Sequence, residues 1–372
     1  MAKIVVRGGP LTWDGKPRGG HAVYILQWIE GLRRLGHDVL YHEIVSNPDA
    51  VGTLRYFVES PWCSARAVAV TRSGRVLYGM SRDELTAFVH EAQLLISLGA
   101  VYSPDPEPWL ADIRPRLLVD QDPGFTHLWA AESGAAEIFG EHDVYCTVGG
   151  NIGTHRSPAD AAGITWHHTW NPVVPEWWSA AAPAAAGFTT VASLWSQEYQ
   201  VFDDQVWGPK ADQLAKFADL PTLTGERFRI AVESGAGDVA ELLRDGGWEV
   251  LDADAVAGTA DEYRSFVSGS VAEFGCVKGL YVGTRSGWFS DRSACYLAAG
   301  RPVVVQDTGL DGLLPLGAGV HAVSDVEQAA QAVARVRRGY PEESAAARAL
   351  AHECFSTAVT LPPLLELVGM PT

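Results

Sequence analysis

Cysteine is scarce in this sequence: five among 372 residues, at Cys63, Cys146, Cys276, Cys295 and Cys354. The number is odd, the spacing wide, and no C-x-x-C pair occurs, which suggests neither a disulfide framework nor a thiolate zinc site and fits a reducing, cytoplasmic setting. Long apolar runs are missing as well. Nowhere do 18 apolar residues follow one another, and the alanine-rich stretch 179–187 is interrupted by proline, so a membrane-spanning helix is excluded. The opening MAKIVVRGGP offers only three consecutive apolar residues before Arg7, too few for a signal peptide, and is expected to form a first strand. Positive charge is the minority sign: 28 Lys and Arg against 45 Asp and Glu give a net charge of −17. Such a field repels a phosphate backbone and an anionic membrane, so nucleic acid and membrane are not expected partners and a small substrate fits better.

What remains is the composition of a globular chain, 47% hydrophobic and 20% charged, long enough for two domains. Ile4 to Val6 is a short apolar run. A glycine-bearing loop follows, then Val23, Leu26, Ile29, Leu32 and Leu35 at helical spacing, stopped by Gly36 before Val39 and Leu40. Apolar runs at Leu94 to Leu98 and Arg116 to Asp120 continue the alternation of strand and helix, which predicts an α/β domain with a parallel sheet. The segment 180–187, AAAPAAAG, reads as a linker. Beyond it, Arg229 to Val232, Glu249 to Leu251, Leu280 to Val282 and Pro302 to Val305 are expected strand segments of a second α/β domain. The expected organisation is therefore an N-terminal domain at 1–179, the linker, a C-terminal domain at 188–340, and closing helices at 341–372 that pack back on the first domain. Ligands of such sheets collect at the carboxyl ends of the strands, here in a cleft between two domains.

The C-terminal candidate is Gly287-Trp288-Phe289-Ser290-Asp291-Arg292-Ser293, leading into an expected helix from Ala294 to Ala299 that ends at Gly300. Ser290 or Asp291 can cap that helix, and its first-turn amides, with Ser293, make a seat for a diphosphate. Asp291 is either a plain cap or a carboxylate that accepts hydrogen bonds from ribose hydroxyls. Charge developing on a leaving diphosphate needs cations, and Lys210, Lys216, Lys278, Arg285 and Arg292 all lie in the second half. In the first half, Gly19 and Gly20 let a diphosphate or sugar approach a helix N-terminus, and His21 stands on its first turn. Asp120 and Asp122 end a central strand before Pro123-Gly124. Either His21 or Asp122 can serve as a general base. Gly149-Gly150-Asn151-Ile152-Gly153 is a further backbone-permissive loop, and Trp166, Trp170, Trp177, Trp178 and Trp195 form an aromatic group near the expected domain crossing. His167-His168 lacks the spacing of a metal site, and no metal is expected.

The segment SGWFSDRSACYLAAGRPVVVQDTGL resembles the nucleotide-sugar-binding segment of bacterial glycosyltransferases of the GT-B architecture. The stretch Trp13 to Leu40 is similar to the first loop, helix and strand of that superfamily. VDQDPGFTHLW, GGNIG and GPKADQLAKFADLP look like segments of a narrower group of such proteins from antibiotic-producing bacteria. The resemblance implies two Rossmann-like domains facing each other, and transfer of a sugar from a nucleoside diphosphate sugar, as co-substrate rather than cofactor, to a small acceptor. Many retaining members carry a Glu-x₇-Glu pair; Gly287 and Cys295 stand at those positions here, so that motif does not support a retaining mechanism. The alternative readings are a nucleotide-sugar epimerase or hydrolase, a catalytically silent partner protein with the same fold and, more remotely, a DNA-modifying glycosyltransferase.

Overall fold

Short segments of Val, Ile and Leu that are apolar on both sides suit strands covered on both faces. Ile4, Val5 and Val6 are fully buried, as are Leu94, Leu95, Leu118 and Val119. The computed structural model describes residues 1–8, 18–45, 50–59, 65–99, 105–178, 187–194, 199–233 and 237–370. These fall into two compact units: unit 1 comprises Met1–His155, Ala159–Val174 and Ser356–Thr372, and unit 2 comprises Arg156–Pro158 and Pro175–Phe355.

The strands of unit 1 are β1 (Lys3–Arg7), β2 (Asp38–Ile44), β3 (Arg66–Val70), β4 (Val76–Tyr78), β5 (Leu94–Leu98), β6 (Arg116–Asp120), β7 (Val144–Thr147) and β8 (Trp166–His168). They form one sheet in the order β4-β3-β2-β1-β5-β6-β7-β8. All neighbours are parallel except β3 and β4. Val5 lies between Leu40 and Leu95 in register, and one core cluster gathers these three with Val68, Phe88 and Leu110. The helix Gly19–Arg34 buries Val23, Leu26, Ile29 and Leu32, the expected stripe. A β-carbon on Gly31 would lie 2.5 Å from side-chain atoms of Thr357 and Leu361, so the absence of a side chain there lets the helix Thr357–Leu367 lie directly against it.

Unit 2 holds β9 (Phe188–Ala192), a hairpin of β10 (Gln200–Phe202) and β11 (Gln205–Trp207), then β12 (Phe228–Val232), β13 (Glu249–Asp252), β14 (Ala272–Gly275), β15 (Val303–Gln306) and β16 (Val320–Val323). Its main sheet runs β13-β12-β9-β14-β15-β16, parallel throughout. In chain order that is 3-2-1-4-5-6, the doubly wound order, with its reversal between β9 and β14. Unit 1 reverses likewise between β1 and β5. The unit 2 core is aromatic: Phe188 stacks on Phe228 at 5.3 Å, and Trp248 and Phe274 close around them.

Several expectations change. Leu280 to Val282 is helical, within Gly279–Gly283, and the strand of that region is Ala272–Gly275. Glu273 and Gly275 hide it from an apolar-run reading, because its second face meets a polar side chain rather than a hydrophobic one. The chain passes between units at Val174–Pro175 and Phe355–Ser356 instead of within 180–187, of which 180–186 lie outside the described residues. Of the closing helices, Tyr340–Leu350 belongs to unit 2 and Thr357–Leu367 to unit 1. Of the tryptophans, Trp166 packs on His127 and Phe139 in unit 1 and Trp178 on Tyr263 in unit 2, and Trp195 lies outside the described residues.

Candidate functional site

At the carboxyl rim of the unit 2 sheet the chain leaves β14 as Cys276-Val277-Lys278 and β15 as Asp307-Thr308-Gly309. Between them stands the helix Asp291–Ala298. Ser290 is its cap, with Oγ accepting the Arg292 amide at 3.2 Å. Asp291 therefore does not cap, and its carboxylate sits half-buried beyond the cap. Ser293 Oγ is buried and has no hydrogen-bond partner among the described residues. Both serines line a small crevice with Gly275, Val277, Trp288 and Arg292, with room for about one water molecule. Backbone donors and a hydroxyl at the positive end of a helix dipole suit an anionic oxygen.

Arg292 has a role that the sequence does not reveal. Its Nε donates to Glu273 Oε1 at 2.5 Å and its Nη1 to the Val191 carbonyl at 2.9 Å. Glu273 is fully buried on β14. Burial works against the guanidinium charge, but the Glu273 carboxylate overrides it and holds the arginine more firmly protonated than usual. The pair thus joins β14, β9 and the first turn of the helix across the reversal of the sheet, and Arg292 is engaged before any ligand arrives. Gly275 is needed there, since a β-carbon would come within 3.1 Å of both Arg292 Nη2 and Glu273 Oε1.

Lys210 opens the helix Lys210–Ala215 beside this pair. Burial, then the neighbouring charges of Arg292 and Lys278, pull its ammonium down to about 8, so three cations share one small region. The loop after β14 is held to that helix by amides: Val277 N donates to Gln306 Oε1 at 3.3 Å, Gln306 Nε2 to Gln213 Oε1 at 2.8 Å, and Lys216 Nζ to the same Gln213 oxygen at 3.0 Å. Lys278 Nζ lies 5.7 Å from the ring centre of Tyr281. Arg285 is exposed with φ +44°, a left-handed conformation, on the turn that leads to Gly287. The structure brings Ser290, Asp291, Arg292, Ser293, Lys210 and Lys278 together; Glu273, Gln213 and Gln306 are additions from the fold.

On the carboxyl rim of unit 1, Gly19 and Gly20 are the first residues of their helix and His21 follows on its first turn, half-buried, 5.8 Å from the Tyr24 ring. Loop residues 9–17 lie outside the described residues. Asp120 and Asp122 differ sharply. Asp120 is buried, its Oδ1 accepting Asp122 N at 3.2 Å and its Oδ2 accepting Thr147 Oγ1 at 3.1 Å. Burial, and then the Asp122 charge, push its carboxyl up to about 7. It organises the turn. Asp122 is half-exposed beyond it. Gly149 lies so close to Pro123 that a β-carbon would come within 2.5 Å, and its amide donates to Thr147 Oγ1 at 3.1 Å, so the loops after β6 and β7 are locked together. Among the described residues, no group of three His, Cys, Asp or Glu side chains is placed to hold a metal ion, and no helix is long and apolar enough to cross a membrane.

Two doubly wound units of this kind, joined by a chain that returns to the first at its end, define the GT-B architecture. Solved structures of that architecture match the chain over nearly its whole length. AviGT4, a glycosyltransferase involved in avilamycin A biosynthesis, matches with a TM-score of 0.61 at 14% identity, covering 99% of this chain and 97% of that one. TarM matches with a TM-score of 0.60 at 9% identity, covering 99% of each chain. Anabaena Alr3699/HepE in complex with UDP-glucose matches with a TM-score of 0.58 at 11% identity, covering 98% of this chain and 99% of that one. At such identities the likeness establishes the fold. No protein-family model and no curated sequence matches.

Proposed function

We propose that the protein is a glycosyltransferase that moves a sugar from a nucleoside diphosphate sugar to a small, natural-product-like acceptor without a metal ion. The observation that carries this reading is the capped helix Asp291–Ala298, whose first-turn amides and unpartnered Ser293 Oγ border a crevice beside Lys210 and Lys278. The similar structures support it: HepE was seen with UDP-glucose, and AviGT4 serves avilamycin A biosynthesis.

In this reading Ser290 and Ser293 hold the diphosphate at the helix N-terminus, Lys210 and Lys278 balance its charge with Arg285 at the rim, and Asp291 accepts ribose hydroxyls. Arg292 contributes its backbone amide and, through Glu273, the fixed position of the helix. As the bond from the sugar's anomeric carbon to the diphosphate oxygen breaks, the added negative charge falls on donors that are already oriented. A new bond forms to an acceptor oxygen, whose proton passes to His21 or Asp122 on the unit 1 rim, where Gly19 and Gly20 give a ligand access to backbone amides. The absence of a disulfide pattern and of a membrane-spanning helix fits work in the cytoplasm.

The test incubates UDP- and dTDP-sugars with and without a panel of small acceptors, with and without EDTA, and measures free nucleoside diphosphate. Release that needs an acceptor and survives EDTA supports the reading. Release without acceptor assigns a hydrolase, interconversion of the donor sugar an epimerase, and no turnover with any donor a silent partner protein.

A further inference from the structure

His21 and Asp122 stand on elements that are not neighbours in the unit 1 sheet. The first belongs to the helix Gly19–Arg34 after β1, the second to the turn after β6, and β5 lies between those two strands. A chain of buried side chains spans the gap. Trp28 Nε1, on the helix of His21, donates to Asn171 Oδ1 at 3.4 Å, and Asn171 Nδ2 donates to Gln121 Oε1 at 2.9 Å. Gln121 is the residue between Asp120 and Asp122. Trp28 is fully buried and Asn171 nearly so.

The polarity of the chain is forced. An indole nitrogen can only donate, so Asn171 turns its oxygen to Trp28 and its amide hydrogens to Gln121, which must answer with oxygen. Gln121 Nε2 is then left buried without a hydrogen-bond partner. An unsatisfied buried donor costs free energy, so stability alone would not select this arrangement. The backbone around Asn171 is pinned as well: Thr169 N donates to the Thr147 carbonyl at 3.0 Å, Val174 N to Gln27 Oε1 at 3.1 Å, and Thr357 N to the Val173 carbonyl at 2.9 Å. Gln27 lies on the helix of His21, and Thr147 Oγ1 donates to Asp120. The stretch 169–174 is thus a crossbar, bonded on one side to the helix that carries His21 and on the other to the turn that carries Asp122.

We infer that Asn171 is a positioning residue for the proposed transfer: as the centre of this crossbar it fixes the spacing between the His21 helix and the Asp122 turn, and with it the distance from the base to the acceptor oxygen. The inference rests on the transfer reading above. Asn171 acts through those two residues and takes no proton itself. A displacement of about 1 Å at the reacting atoms can cost about 10²-fold in rate.

The test measures kcat for wild type, Asn171→Ala, Asn171→Asp and Trp28→Phe with the donor and acceptor that turn over fastest in the panel above, alongside calorimetric titration with UDP and dTDP and thermal unfolding. Asn171→Ala is expected to lower kcat about 10- to 100-fold with nucleotide affinity unchanged. Trp28→Phe keeps a ring but loses the donor, and should lose less. Asn171→Asp restores the chain only when protonated, with an O–H for Gln121 and an oxygen for Trp28, so its kcat relative to wild type should rise as the pH falls. A folded Asn171→Ala with wild-type kcat, a loss confined to thermal stability or to nucleotide affinity, or an Asn171→Asp ratio independent of pH overturns the inference and leaves the transfer reading intact. If Asn171→Ala does not fold, Trp28→Phe decides on the same terms. Absence of acceptor-dependent release in wild type overturns the transfer reading and the inference together.

Discussion

The two sheet rims solve different problems with the same topology. In unit 2 the rim is ionic: Glu273 and Arg292 form a buried pair, Ser290 caps the helix, and the amides of Gln213 and Gln306 fix the adjoining loop. In unit 1 several buried groups are shifted toward their neutral forms, beside the buried ion pair of Arg7 and Glu107. Burial lowers His42 to about 3, with Arg7 adding to it, and lowers His127 to about 4, while Asp120 is raised to about 7. A constant chemical group such as a diphosphate rewards donors set in place before binding. In the proposed function the acceptor meets unit 1, where His21 and Asp122 stand half-exposed above these buried groups.

Breaking the unit 1 side has the largest expected effect. On the proposed mechanism, replacing whichever residue takes the acceptor proton, by His21→Ala or Asp122→Asn, should lower kcat about 10²–10⁴-fold with donor affinity unchanged, and the other replacement should have a much smaller effect; steady-state kinetics with titration of the donor decides between them. On the unit 2 side, Glu273→Ala strands the Arg292 charge and should cost about 3–5 kcal/mol in denaturant unfolding. Glu273→Gln, which keeps an acceptor for Arg292, should cost less.

Two pH experiments sharpen the contrast. Lys210 in the free protein loses its proton near 8, and a bound diphosphate favours the charged form, so donor binding takes up a proton above that pH. Affinity should fall as pH rises through 8, by up to about tenfold per unit, and Lys210→Met should bind weakly without that slope. Asp120 behaves oppositely with respect to the fold. Its carboxyl is raised from an ordinary value near 3.8, so between about pH 4 and 7 the unfolded chain has released a proton that the native one retains. Stability should therefore fall as pH rises across that window, by at most about 1.4 kcal/mol per unit, and Asp120→Asn should flatten the profile. The smallest effect belongs to Ser290→Ala, about 1 kcal/mol for a lost cap.

The sequence made most of the architecture readable because its period is local: the stripe Val23, Leu26, Ile29, Leu32 and the run Leu117 to Val119 declare helix and strand without reference to anything distant. The helix that begins at Asp291 and its cap were legible for the same reason, although Ser290 and Asp291 were equally good caps until the geometry chose Ser290. Glu273 was not legible. A carboxylate in AEFG is indistinguishable from a surface residue until β14 is placed beside β9 and beneath Arg292. The same distance effect hid the division of labour between Asp120 and Asp122, which depends on Thr147 reaching one of them from β7.

Gly31 carries a consequence for biogenesis. The notch it opens on an early helix is filled by Thr357 and Leu361, which are synthesised after every strand of both sheets. Until they emerge, the first half of the nascent polypeptide presents an uncovered apolar seam. A ribosome-bound intermediate halted before the helix Thr357–Leu367 should therefore recruit chaperones, even though every strand of its sheet has already been made.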